Sequence, residues 1–147
     1  MIRKSMLKYI KVSLWGLIFP WIMVTSCAPQ PFLLSDHQQF LVFGDGGGFT
    51  GQIRQYYMLP SGQVYYSNNI HQPPEYIKKV SKDVFAQIVS NIHALNMINH
   101  QVAQPGNVFK LIEYHTAQAT YKWLWQSKED APNAQLIYNN FKQLINE

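Results

Sequence analysis

The sequence predicts an α+β domain, an antiparallel sheet of about five strands with two helices packed on one face, in the order β-β-β-α-β-β-α. Three observations lead there. Short runs of aromatic and β-branched residues recur between turn-forming residues, as strands require. Two longer stretches repeat their apolar residues at helical spacing. The strand runs come in neighbouring groups rather than alternating singly with helices, which favours antiparallel pairing with the helices on one side.

Residues 39–44 and 52–59 carry enough aromatic and β-branched side chains for strands, and a glycine-rich stretch, 44–51, lies between them. Pro60, Ser61 and Gly62 form a turn, and residues 63–67 return as the third strand, with Gly62 supplying the positive φ of the hairpin loop. Residues 68–75, with Pro73 and Pro74, read as loop. Ser81 is placed to cap a helix, and Asp83 sits in its first turn, where the positive end of the helix dipole favours a carboxylate. That helix runs to about Asn96. Val84, Phe85, Ile88, Ile92 and Leu95 give it an apolar face that the sheet must cover. Past a loop through Pro105 and Gly106, residues 108–115 and 120–126 flank 116–119 as a second antiparallel hairpin. Asp130 or Ala131, followed by Pro132, opens a last helix whose Ile137, Phe141, Leu144 and Ile145 share a face.

The first 26 residues do not belong to that domain. Arg3, Lys4, Lys8 and Lys11 precede a nearly uncharged apolar run over 12–24, and Thr25, Ser26 and Cys27 follow. A basic start, an apolar core and a small-residue end are the three parts of a secretory signal, too short and too abruptly ended for a well-anchored span. Val24-Thr25-Ser26-Cys27 resembles the bacterial lipoprotein box. In that box the cysteine thiol is alkylated by a diacylglyceryl group, the chain is cut before it, and the cysteine becomes the new N-terminus. At about 0.8 kcal/mol per buried methylene, one acyl chain holds a bilayer marginally and two or three hold it almost permanently. The alternatives are a single membrane helix over 11–24, or an ordinary cleaved signal with Cys27 a stray thiol. Against both, Cys27 is the only cysteine and stands where the box requires it. The expected organisation is a signal peptide over 1–26, a lipidated Cys27 with a proline-containing tether to residue 38, and one domain over 39–147.

Removing the signal changes the charge. Four of the twelve basic residues lie within it and all eight acidic ones after it, so the remaining 121 residues carry eight of each and no formal net charge. The basic footprint of a nucleic-acid binder is therefore absent. With no cysteine beyond Cys27, neither an internal disulfide nor a thiolate zinc cluster is available. The length suits one domain with a real core.

Gly46, Gly47, Gly48, Phe49, Thr50 and Gly51 match the spacing of a dinucleotide fingerprint. Such a phosphate site needs a helix N-terminus after its glycines, and a strand is expected here instead, so no nucleotide is expected. Two readings of the loop remain: glycines that permit a tight inter-strand connection, or a presented loop that lets a partner's backbone approach, with Phe49 as its apolar tip unless that ring turns inward. The five histidines and eight carboxylates fall at no metal-ligand spacing, and neither an HExxH nor a supported Ser-His-Asp order occurs, so no catalytic residue, metal or cofactor is expected. His93 reads as a partly buried, hydrogen-bonded imidazole. Tyr56, Tyr57, Tyr65, Tyr66, Tyr114, Tyr121, Trp123 and Trp125 are dense for so small a domain, and strand alternation places half of them away from the helices. They stiffen the sheet as cross-strand pairs, or they form a protein- or glycan-binding face.

The phrase Phe43-Gly44-Asp45-Gly46-Gly47-Gly48-Phe49-Thr50-Gly51, the tyrosine strand, Pro60-Ser61-Gly62-Gln63-Val64-Tyr65 and Pro105-Gly106-Asn107 resemble small lipoproteins of Bacteroidota. The same layout is similar to the emfourin family, proteinaceous inhibitors of thermolysin-like metallopeptidases, which have a Gly-Gly-Phe-x-Gly turn between their first strands, a central helix, a second hairpin and a closing helix. The specific part of that match is Gly47-Gly48-Phe49-Thr50-Gly51. The lipid anchor and the long tyrosine-rich strands depart from it. The resemblance implies a non-catalytic envelope lipoprotein that binds a protein partner, as a peptidase inhibitor whose loop over 46–51 occludes an active-site cleft. The alternative expectation is a structural or accessory lipoprotein of an outer-membrane complex, docking through its aromatic sheet face. Ala28 lacks the aspartate resembling an inner-membrane retention signal, and no acidic run resembling a surface-export signal follows. The expected place is thus the periplasmic face of the outer membrane, held through acylated Cys27.

Overall fold

The computed structural model describes residues 38–69, 71–104 and 106–146. The expected signal peptide, Cys27 and the tether up to residue 37 lie outside the described residues. In chain order the elements are β1 (Phe40–Gly47), β2 (Ile53–Met58), β3 (Gln63–Ser67), β4 (Glu75–Lys79), α1 (Lys82–Ala94), a 3-10 turn at Met97–Asn99, β5 (Val102–Ala103), β6 (Val108–His115), β7 (Thr120–Trp125) and α2 (Pro132–Asn146). The strands form one sheet in the order β4-β3-β2-β1-β6-β7-β5.

The α+β class and the two helices agree with the sequence reading, while the sheet has seven strands rather than about five and is mixed rather than antiparallel. β5 runs parallel to β7, with Val102 opposite Trp123. Both additional strands are edges. β4 follows Pro73 and Pro74 and carries Glu75, Lys78 and Lys79, charges that suit an exposed edge and obscure the alternation of a strand. β5 is two residues long, below any periodicity. Since β4 and β5 occupy opposite edges, the intervening α1 carries the chain from one side of the sheet to the other.

β1 is the central strand, antiparallel to β2 on one side and β6 on the other. Leu41 and Phe43 share a face with Met58, Ile112, Trp123 and Trp125, and this face packs against Phe85, Ile88 and Ile92 of α1 and Ile137 and Phe141 of α2. Phe43 and Phe141 stack with centroids 3.9 Å apart. On the opposite face, Phe40, Val42, Tyr57 and Tyr65 form a smaller buried cluster with Leu59. Six of the eight sheet aromatics thus face the helices, not half of them. Tyr121, Trp123 and Trp125 alternate in step, and the register places Tyr114 beside Tyr121 and Tyr56 beside Phe43.

Polar groups at the helix ends find partners. The Ser81 hydroxyl accepts from the Asp83 amide at the start of α1, and Lys78 donates to the Leu144 carbonyl in the last turn of α2 at 3.0 Å. Gln135 is buried in the core, where its Oε1 accepts from Trp125 Nε1 at 3.0 Å and from Lys110 Nζ at 2.7 Å. The Trp123 indole donates to the Met97 and His100 carbonyls, fixing the 3-10 turn against β7.

Two substitutions test this packing by urea unfolding of the full chain in neutral detergent. Phe141→Ala should lower the unfolding free energy by about 3–5 kcal/mol, because it empties the contact with Phe43. Gln135→Leu should cost about 1–3 kcal/mol by stranding the buried Trp125 N–H.

Candidate functional site

The glycine run lies at one end of the central strand, between two antiparallel strands and with no helix N-terminus behind it. Of the six residues expected to form a partner-binding loop, Gly46 and Gly47 belong to β1, which extends three residues beyond the predicted end at Gly44. The turn itself is Gly48, Phe49, Thr50 and Gly51, closed by Gly51 N–H donating to Gly48 O at 3.2 Å. Gly47 N–H donates to Gln52 O at 3.2 Å, and Gly48 N–H donates to Asn107 O at 2.6 Å, tying the turn both to β2 and to the approach of β6.

Gly47 has a sequence-specific reason to be glycine. Its φ is +94°, and a Cβ there would stand 2.1 Å from the Asn107 carbonyl oxygen. Gly51 also has a positive φ, +61°, but a Cβ would meet nothing within 4 Å. One position is required by close approach and the other by backbone conformation alone. The outcome for Phe49 is clear: its ring is fully exposed, at 108% of the reference area. It is a presented tip and not part of the core.

Two clefts flank the turn and share Thr50 and Gln52. One, of about 460 Å³, is walled by Asn68, Asn69, His71 and Gln72. The other, of about 480 Å³, lies towards α2 and holds Asp45, Arg54, Lys110 and Tyr138. The strand register assembles this second group, since Asp45 sits opposite Arg54 on β2 and opposite Lys110 on β6. Asp45 Oδ1 accepts from Arg54 Nε at 2.7 Å and is also paired with a terminal guanidinium nitrogen. Asp45 Oδ2 accepts from the Tyr138 hydroxyl at 2.7 Å. Lys142 Nζ stands 4.0 Å from the same oxygen and 4.6 Å from the centre of the Tyr56 ring. Burial, together with donation to Asp45, raises the Tyr138 hydroxyl far above the ordinary tyrosine range, so it remains a donor. The hydrogen bond with Asp45 likewise raises the Arg54 guanidinium.

The sequence reading missed a polar chain on the other face. Thr120 Oγ1 lies 3.0 Å from His115 Nδ1, and His115 Nε2 lies 2.8 Å from Glu113 Oε2. The order hydroxyl, imidazole, carboxylate is that of a hydrolase triad, but it follows from the β6–β7 register, which sets His115 opposite Thr120 and Glu113 opposite Lys122. Lys122 also pairs with Glu113 at 2.9 Å, Phe40 stacks on the imidazole at 4.2 Å, and none of the three triad-like residues lines either loop cleft. The group is a cross-strand ladder. Hydrogen bonding to His115 is the main cause that lowers the Glu113 carboxyl below the ordinary range, with Lys122 assisting against the opposing effect of burial.

His93 is exposed and meets the edge of Tyr114, with ring centres 6.3 Å apart, correcting the expectation of a partly buried group. Tyr57 and Tyr65, which lie with Phe40 on the sheet face away from the helices, are 8% and 4% exposed. Among the described residues no three His, Asp or Glu side chains converge as metal ligands, and no helix is long and apolar enough to cross a membrane. The chain matches no protein-family model and no curated protein.

Gly47→Ala should destabilise by about 3 kcal/mol through the Asn107 clash and the positive φ, against about 1 kcal/mol for Gly51→Ala, in parallel urea titrations. For Glu113, the folded-state pKa lies below the unfolded one, so the ionised group adds stability above pH 4.5, and this is lost as pH falls through the lowered value. Glu113→Gln should therefore lower stability at neutral pH and flatten its decline on the acid side in a pH series of melting temperatures.

Proposed function

We propose that this protein is a non-catalytic, lipid-anchored envelope lipoprotein that binds a protein partner through the β1–β2 turn, in the manner of an emfourin-like inhibitor of a thermolysin-like peptidase. The observation that carries this reading is Phe49, wholly exposed on a turn whose base is fixed by backbone hydrogen bonds to Gln52 and Asn107, the residues that lead into β2 and β6. An exposed phenylalanine is costly to solvate, and burying it in a partner's apolar subsite contributes about 1.5–3 kcal/mol. The fixed base reduces the ordering cost that a floppy loop incurs on binding. The clefts on either side leave room for a partner's walls, so the turn enters as a wedge.

Occlusion of this kind needs shape rather than chemistry, and the carboxylate nearest the turn, Asp45, is held by Arg54 and Tyr138. The position of the turn suits an anchored protein. The chain enters β1 at Phe40, the end nearer Cys27 in sequence, and the turn follows Gly47 at the far end, about 24 Å away at the rise of an antiparallel strand. Two or three acyl chains on Cys27 would hold the entry end near the outer-membrane surface, with the Phe49 turn directed into the periplasm.

Inhibition is tested with the full chain in neutral detergent and a thermolysin-like peptidase. The wild-type chain should abolish peptide hydrolysis at micromolar concentration, and Phe49→Ser should weaken inhibition by about tenfold or more while leaving the melting temperature unchanged. Unimpaired hydrolysis at that concentration removes the inhibitor reading. Anchoring is tested separately: Cys27→Ser should move the protein from the membrane to the soluble fraction of expressing cells, and retention in the membrane contradicts acylation as the anchor.

A further inference from the structure

We propose that the cleft between the β1–β2 turn and α2 is a carboxylate-binding site, built from Arg54 and Lys110, that receives an acidic side chain or a free C-terminus of the protein partner. The location rests on the loop reading above; the chemistry rests on the charges. Three cations, Arg54, Lys110 and Lys142, surround a single carboxylate, Asp45. Asp45 takes Arg54 through Nε and one terminal nitrogen, and the Arg54 side chain, 60% exposed, lines the cleft. The half-buried Lys110 has no carboxylate within ion-pair distance among the described residues. Its ammonium donates to the neutral Gln135 Oε1 and lies 5.8 Å from the centre of the Tyr138 ring.

A half-buried cation satisfied only by neutral groups is poised for an anion, because its desolvation cost is already met by the fold. Arg54 and Lys110 face only Asp45 among the charged residues that line the cleft, and this one excess positive charge, in a sequence with no formal net charge after residue 26, gives a local field that favours a negative ligand. Asp45 in the floor disfavours a multiply charged phosphate relative to a single carboxylate. Val108, 56% exposed, lines the cleft with the charges and suits a segment that carries an apolar residue next to an acidic one. A protein segment is favoured over an anionic lipid headgroup because the cleft lies at the end of β1 remote from the chain's entry at Phe40.

The test is an NMR titration of the ¹⁵N-labelled full chain in neutral detergent micelles at low salt. The probes are acetyl-Ala-Glu-Glu-Ala-amide, its Gln-Gln counterpart, acetyl-tetra-alanine with a free carboxylate, and vesicles containing phosphatidylglycerol. The Glu peptide, the free-carboxylate peptide or both should give saturable shifts at the Gly46 and Gly47 amides and at Arg54 Nε; which of them binds identifies the source of the carboxylate. Lys110→Gln should weaken binding by about threefold to fivefold and Lys110→Arg should retain it. Equal shifts from the Gln-Gln peptide, no saturable shift, or a response to anionic vesicles alone overturns the proposal. The peptide readout is independent of peptidase inhibition: Phe49→Ser should weaken the latter by about tenfold or more and leave the carboxylate shifts intact, so the two readings fail separately.

Discussion

The close approach of Gly47 to the Asn107 carbonyl is the constraint on which the β1–β2 end of this molecule depends. β1 must pair with β2 and β6 at once, and at its last residue the start of β6 crowds the backbone, with the Asn107 carbonyl and Val108 Cα where a Gly47 Cβ would stand. A residue without a side chain and with positive φ lets the strand finish there and hand its next amide, that of Gly48, to Asn107. The turn beyond is consequently short and tied on both flanks, and its one large side chain has nowhere to go but solvent. Exposure of Phe49 is thus a consequence of how β1 ends.

The same register explains the charges beneath the turn. Leu41 and Phe43 point into the core, and the next residue of that parity, Asp45, emerges beside Tyr138 of α2. A lone carboxylate at such a place needs donors, and it takes them from β2 and α2 as Arg54 and Tyr138. Lys110, directly opposite on β6, is instead drawn to Gln135. The apolar core therefore grades into a cationic cleft along one strand. The buried Gln135 joins the two by serving Trp125 on one side and Lys110 on the other.

Much of the scaffold was legible from local pattern. The third strand and the β6–β7 hairpin follow from β-branched and aromatic runs bounded by turn residues, and Ser81 and Pro132 mark the helix starts where they fall. β4 was not legible, because its lysines and glutamate answer to an edge position that only the assembled sheet defines. The fate of Phe49 was left open because strand parity stops at a turn. The cleft was invisible for another reason: Asp45 and Tyr138 are 93 residues apart, and nothing short of the register brings them together. His115 and Thr120 were readable individually, but their contact needed the hairpin pairing to place one opposite the other.

A through-hydrogen-bond scalar coupling between the Gly48 amide nitrogen and the Asn107 carbonyl carbon, recorded on the full chain in micelles, tests the central claim most directly. The account predicts a measurable coupling, slow exchange of the Gly48 amide and backbone order parameters near about 0.85 at Gly47 and Gly48. Absence of the coupling, with fast exchange and order parameters below about 0.6, would show a loose loop and contradict a turn held in place for a partner.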